Sequence, residues 1–184
     1  HRAENAQPRK YEKIYLDKST DGGVSWLAKD FVVSDQPGGW TFDIPGIFRA
    51  NGLPITAIDN STGPHSGTLY VNWCDQRNGT SDTDVWLAKS TDQGKTWSAP
   101  IRVNDDAPGK QQFFTWMDID QTTGDVYFVF YDRRAYDDNQ TDVYIACSRD
   151  GGKTFVNQKV SDSPFTPSPK AFFGDYHNIR AHAG

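Results

Sequence analysis

The sequence predicts an all-β fold, and three observations carry that expectation. An octet recurs: STDGGVSW at 19–26, STDQGKTW at 90–97 and SRDGGKTF at 148–155. All three fit Ser, any residue, Asp, any, Gly, any, Thr or Ser, then an aromatic, and three ordered copies mark a repeated unit. Each octet follows a run that alternates as a strand requires: KIYLDK (13–18), DVWLAK (84–89) and DVYIAC (142–147). No stretch of helical period is present, and 16 Gly, 10 Pro and 14% aromatic residues suit strands joined by tight turns.

Aligning the octets brings their surroundings into register. GTLYVNWCDQR (67–77) aligns with DVYFVFYDRR (125–134), each ending in Asp, one residue, Arg. Further upstream, LPITAID (53–59) aligns with FTWMDID (114–120), each followed by turn residues. The stretch GDYHNIRAHAG (174–184) aligns with these through Ile179 and predicts one more first strand. Each unit is therefore four strands, A to D, with the octet as the C-to-D turn. Asp21 and Asp92 lie 71 residues apart and Asp92 and Asp150 lie 58 apart, the excess being an insertion at 37–52. A four-stranded antiparallel unit at this spacing reads as a β-propeller blade. The expected layout is a half blade at 1–36, a blade at 37–105, a blade at 106–165 and the first strand of a next blade at 166–184. An open set of blades leaves apolar faces and strand edges uncovered. The expectation is a fragment whose remaining blades come from a parent chain or from a self-assembled partner.

Within the octet, Gly23, Gly94 and Gly152 supply a turn conformation that a Cβ penalises. Asp21, Asp92 and Asp150 can accept hydrogen bonds from the turn's own amides. Trp26, Trp97 and Phe155 are expected to fill the layer between neighbouring blades. The three aspartates also invite a reading as catalytic carboxylates or calcium ligands. A structural role is preferred, because a catalytic group need not recur in every blade.

Bulk properties exclude several classes. The net charge is −5 with both signs interspersed, so no basic stripe points to nucleic acid. No apolar run reaches the length of a membrane span. Cys74 and Cys147 are too few for a disulfide framework or zinc cluster, and free thiols filling space are expected.

The octets resemble the Asp-box, or BNR, repeats of the sialidase-like superfamily. That resemblance spans the chain at the level of repeat architecture and implies a secreted or cell-surface propeller. It implies a glycoside hydrolase acting on extracellular glycans, exo-sialidase-like; the alternative is a non-catalytic propeller that binds glycans or protein. A sialidase-like enzyme would bring three arginines gripping a carboxylate, a Tyr–Glu nucleophile pair, an Asp acid/base and a Phe-Arg-Ile-Pro motif. Here Phe48-Arg49-Ala50-Asn51 keeps Phe-Arg and loses Ile-Pro, and no Glu matches the nucleophile pair.

Strand direction sorts the loops. Octets and A-to-B turns share one rim, so B-to-C loops and D-to-A connections form the other, where ligands are expected. The starts of the inner strands line the central channel and contribute Leu53 and Pro54, then Phe114 to Trp116, then Gly174, Asp175, Tyr176 and His177. Asp175 and Tyr176 are the candidate acid/base or nucleophile for a glycoside. Arg49, in the insertion, is the candidate anchor for an anionic group. Arg133, whose counterpart is Gln76, joins Trp116 and His177 as a substrate-binding candidate, and Trp40 is available for stacking on a sugar. The loops at 75–84 and 132–142 are rich in Asp, but their spacing matches no EF-hand, so no metal or other cofactor is assigned. Asp75–Arg77 and Asp132–Arg134 recur at equivalent places and are expected to pair as structural corners.

Overall fold

The computed structural model describes residues 12–183. The first eleven residues of the predicted half blade, and Gly184, lie outside the described residues. Twelve strands and no helix occur among the described residues. β1 (Glu12–Leu16) pairs with β2 (Phe31–Gln36), and β3 (Thr41–Phe42) with β4 (Ala50–Asn51). β5 (Ile55–Ile58), β6 (Leu69–Asp75), β7 (Asp84–Ser90) and β8 (Ile101–Arg102) form one four-stranded antiparallel sheet in sequence order. β9 (Gln112–Ile119), β10 (Val126–Asp132), β11 (Asp142–Ser148) and β12 (Val156–Lys159) form a second. The strands predicted as A, B, C and D are these, in that order. The central hairpins are in the same register, running from Leu69↔Ser90 to Asp75↔Asp84 and from Val126↔Ser148 to Asp132↔Asp142.

Alternation along β6 and β7 explains how the sheets stack. Val71, Trp73, Trp86 and Ala88 face the β1–β2 sheet and bury Ile14 and Val33. Their neighbours Tyr70, Cys74, Val85 and Leu87 face the other way, against Phe113, Val126, Phe128 and Phe130. The first four-stranded sheet is therefore buried on both faces, where the sequence pattern suggested half-buried strands. The outer face of the last sheet stays open: Tyr127, Ile145 and Cys147 are half-buried and Val156 is exposed. Both cysteines are free thiols.

All three octets share one bonding pattern. In the middle copy, Asp92 Oδ1 accepts from Ser90 Oγ (2.8 Å) and Thr96 N (2.9 Å), and Oδ2 accepts from Thr96 Oγ1 (2.6 Å). Gly94 N donates to Ser90 Oγ (2.9 Å). Asp21 repeats this with Ser19 and Ser25, and Asp150 with Ser148 and Thr154. Bonds led by Ser19 hold Asp21, and bonds led by Thr96 hold Asp92, below the ordinary carboxylate range. Asp150 is held low as well: burial pushes it up, and Thr154 and Ser148 outweigh that.

Two of the octet aromatics are packed as expected. Trp97 lies against the cluster around Trp73, and Phe155 meets Phe128 edge-on with centroids 5.7 Å apart. Trp26 differs, being 60% exposed. Among the described residues no further sheet is stacked beyond β1–β2. The glycine matters for packing as well as for turning. Gly94 has φ +84°, and a Cβ there would sit 2.3 Å from Leu16 Cδ2 on the neighbouring sheet. Gly94→Ala is accordingly expected to cost about 2 kcal/mol or more in denaturant unfolding, from overpacking plus backbone strain. Gly23→Ala, at φ +90° with open space around it, should cost only the backbone part, about 1 kcal/mol.

Candidate functional site

The insertion at 37–52 folds into the short β3–β4 hairpin and carries Trp40, Arg49 and Asn51 to one place. Gly52 N donates to Trp40 O (3.0 Å), and Glu12 accepts from Trp40 N, which ties the hairpin's base to β1. The segment 174–183 arrives from the other end of the chain. It forms no strand, contrary to the first strand predicted at 166–184, because its backbone joins no sheet ladder among the described residues. Side chains fix it instead. Arg49 grips Asp175 with both arms, Nε donating to Oδ1 (2.9 Å) and Nη2 to Oδ2. Asn51 Nδ2 donates to Asp175 O (3.1 Å), and Ala181 N donates to Asp118 Oδ2 (2.9 Å).

These contacts enclose a cavity of about 370 Å³ lined by Trp40, Thr41, Arg49, Asn51, Leu53, Asp175 and Tyr176. Tyr176 is 65% exposed, and its ring leans on Trp116 with centroids 5.8 Å apart. The Arg49 guanidinium also lies over Phe172, 5.1 Å from the ring centre. Trp116 reaches this position past a bulge in β9. Three residues, from Phe113 to Trp116, span the two-residue step from Tyr131 to Val129, and Phe114 takes φ +52°. Four sequence candidates, Arg49, Trp116, Asp175 and Tyr176, thus converge from positions up to 127 residues apart in the chain.

His177 does not join them. Its ring packs on Tyr131 (centroids 4.3 Å apart), which in turn touches Phe165 and Phe173, and its Nε2 is buried without a partner. His177 thus sits in an aromatic cluster with Tyr131 and is not part of the cavity lining. Burial pulls its pKa from 6.5 down to about 4. The docked segment favours neutral imidazole, so this contribution is complete above pH 6.5 and is lost as pH falls towards 4. The melting temperature should drop across that window, and His177→Phe should flatten the drop.

Arg133 is also placed elsewhere. It is buried against Phe113 and donates to Thr141 Oγ1 (3.0 Å), Pro45 O (2.6 Å) and Asn139 Oδ1 (3.3 Å), beside a separate cavity of about 360 Å³. Burial lowers its pKa to about 10. Its two loops could not be joined by spacing alone, since Pro45 belongs to the insertion. Asp75–Arg77 and Asp132–Arg134 do pair (2.5 and 2.8 Å), with the guanidinium over Trp86 (4.3 Å) and Tyr144 (4.2 Å) at matching positions. Among the described residues no group of three or more His, Cys, Asp or Glu side chains could hold a metal ion. Leu53, expected at the channel from its place at the start of strand A, lines the cavity, and the lining residues missed in the sequence are Thr41 and Asn51. Only their place in the insertion hinted at them.

The chemistry available is a carboxylate fixed by a guanidinium, amide and hydroxyl groups, and two exposed or half-buried aromatic faces. Among the described residues, Asp175 is the one carboxylate lining the cavity. Glycoside hydrolysis by a carboxyl pair needs a second one within about 10 Å.

The BNR/Asp-box repeat family matches residues 88–99. No curated protein matches the chain in sequence. Among solved structures, the α-L-arabinofuranosidase of Fusarium graminearum, in complex with an iminosugar inhibitor, superposes with a TM-score of 0.55 at 18% identity. That superposition covers 83% of this chain and 41% of the enzyme. The Hadza microbial sialidase gives a TM-score of 0.47 at 20% identity over 59% of this chain and 25% of that one. A protein of unknown function from Dyadobacter fermentans gives 0.43 at 26% identity over 79% and 37%. The chain thus spans less than half the length of each. Residues 88–99 thus match a BNR/Asp-box repeat, and the all-β sheet fold is similar to that of the arabinofuranosidase.

Proposed function

We propose that this chain is part of a sialidase-like, extracellular propeller of the glycoside hydrolase type, and that the cavity beside Arg49 binds a sugar. The layout read from the sequence fits this: a half blade at 1–36, blades at 37–105 and 106–165, and a segment at 166–184 that contributes to the next. The observation that carries the reading is the Arg49–Asp175 fork set beside Trp40 and Tyr176. Sugars are held by flat aromatic faces against their C–H surfaces and by fixed polar groups against their hydroxyls. Arg49 and Asp175 preorganise each other, so an incoming hydroxyl meets donors and acceptors already in place. The fold neighbour is an arabinofuranosidase, which supports a glycan as the ligand class.

Binding is favoured over turnover by this chain alone. Asp175 has both oxygens engaged by Arg49, and among the described residues no second carboxylate lines the cavity. In a catalytic propeller Asp175 and Tyr176 would act as acid/base and nucleophile, with the second carboxyl supplied by another blade. Calorimetric titration with α-L-arabinofuranosides and with sialosides tests the reading. Saturable binding is expected to at least one class, weakened tenfold or more (about 1.4 kcal/mol) by Tyr176→Ala and by Arg49→Ala. Binding that survives both substitutions, or no binding to any glycan class, would exclude the cavity as the site.

A further inference from the structure

Arg133 and Gln76 occupy the same place in the two four-stranded units, and both brace the insertion. Gln76 Nε2 donates to Thr83 Oγ1 (3.1 Å) and to Asp43 O (3.4 Å). Arg133 makes the equivalent bonds from two nitrogens, Nε to Thr141 Oγ1 (3.0 Å) and Nη1 to Pro45 O (2.6 Å). Thr83 and Thr141 are themselves equivalent, standing just before β7 and β11. A neutral amide is therefore enough to tie the insertion to these loops. The arginine adds two things that the tie does not use, a full charge and a third nitrogen.

Both additions are left over. Arg133 is 3% exposed, and its Nη2 is buried with no hydrogen-bond partner. The acceptors on its other nitrogens, Thr141, Pro45 and Asn139, are all neutral. Its neighbour Arg134 differs, being paired with both Asp132 and Asp105. Asp138 lies near enough to attract the Arg133 guanidinium, but its oxygens accept from Gln140 N (2.8 Å) and Nε2 (3.1 Å). Lys110, on the same cavity of about 360 Å³, is paired with Asp137 (2.7 Å). A buried guanidinium without a bonded carboxylate is costly, and a carboxylate that forms a charge-assisted bond to it offsets that cost. We infer that this cavity binds the carboxylate of a small organic acid, with Arg133 Nη2 donating to it. A monoanion suits the place better than a dianion, because Asp137 and Asp138 line the same cavity and would repel a second negative charge. The carboxylate can belong to a free acid or to an acidic sugar, and titration separates the two.

Titration of the whole chain with sodium acetate and with sodium glucuronate, at constant ionic strength, tests this. The Nε–H signal of Arg133 in solution should shift saturably with at least one of the two, and sulfate should act about tenfold more weakly or not at all. Glucuronate that binds about tenfold tighter than acetate assigns the cavity to a sugar acid, and equal affinities assign it to a free acid. Arg133→Gln copies the bracing of Gln76, so it should fold and should weaken binding, read by calorimetry, about tenfold or more. Arg49→Ala, in the other cavity, should bind the acid as the wild type does. An Arg133 signal that stays still in both acids overturns the inference, whether or not the variant folds. Calorimetric binding that Arg133→Gln leaves unchanged, or that Arg49→Ala removes, overturns it as well. The inference does not rest on the sugar cavity, and the Arg49→Ala arm keeps the two apart.

Discussion

Trp73→Ala is expected to lower the stability of the protein by about 3–5 kcal/mol, among the largest effects of any single substitution here. Trp73 is fully buried between β1–β2 and the first four-stranded sheet, opposite Trp86 in the β6–β7 ladder. Its Nε1 donates to Asp75 Oδ2 (2.7 Å), so truncation removes a large ring and a bond to a buried carboxylate at once. Arg77 also lies over both tryptophan rings and would lose part of its bed. Trp73→Phe keeps most of the packing and loses the N–H, so it should cost clearly less. Chemical denaturation of the three proteins checks the order. Equal losses for Ala and Phe would mean that the indole N–H, and not the packing, carries the effect.

Asp132→Ala is expected to cost about 3 kcal/mol, because it strands a cation in a partly buried place. Asp132 is buried, accepts from Arg134 N (2.7 Å) and Nε (2.8 Å), and also takes Gln112 Nε2 (3.3 Å). Burial pushes its carboxyl up, against the pull of Arg134. Asp105 pairs with Arg134 from the exposed side (2.5 Å) and would soften the loss. Asp75→Ala repeats the experiment in the first sheet, where Arg77 is held by the same geometry and lies over Trp86. The two losses should be of the same sign and similar size. A neutral result at both would show that these corners contribute nothing measurable.

The comparison of sequence with structure turns on what repeats. Strands A to D were legible because the octets fix the register, and a register error would turn Trp73 or Phe128 outward. The octet bonding was legible in the same way, since Ser, Asp, Gly and Thr are the groups the turn consumes. What does not repeat was harder to read. The β3–β4 hairpin has no counterpart in the other units, so its strands, and the way Pro45 covers Arg133, had no alignment to reveal them. Trp26 follows the octet pattern, and its exposure depends on what faces the sheet, which no local pattern encodes. The segment 174–183 matches a first strand in its letters, but a strand exists only where a ladder partner stands beside it. The site was half legible: Arg49, Asp175, Tyr176 and Trp116 could be named one by one from residue chemistry. Their meeting depends on a bulge at Phe114 and on an ion pair across 126 residues. The packing of His177 was not legible because its neighbours in sequence are mostly polar, whereas its neighbours in space are Tyr131 and the rings beyond it.

The proposal that the cavity binds a sugar is tested most directly by following the indole N–H signals of Trp40 and Trp116 in solution while a glycan panel is titrated. Both should shift saturably with the same affinity, while the signal of buried Trp73 stays still, and Tyr176→Ala should abolish the response. Uniform small drifts at all indoles, or saturable shifts that Tyr176→Ala leaves unchanged, would place the ligand elsewhere or nowhere on this chain.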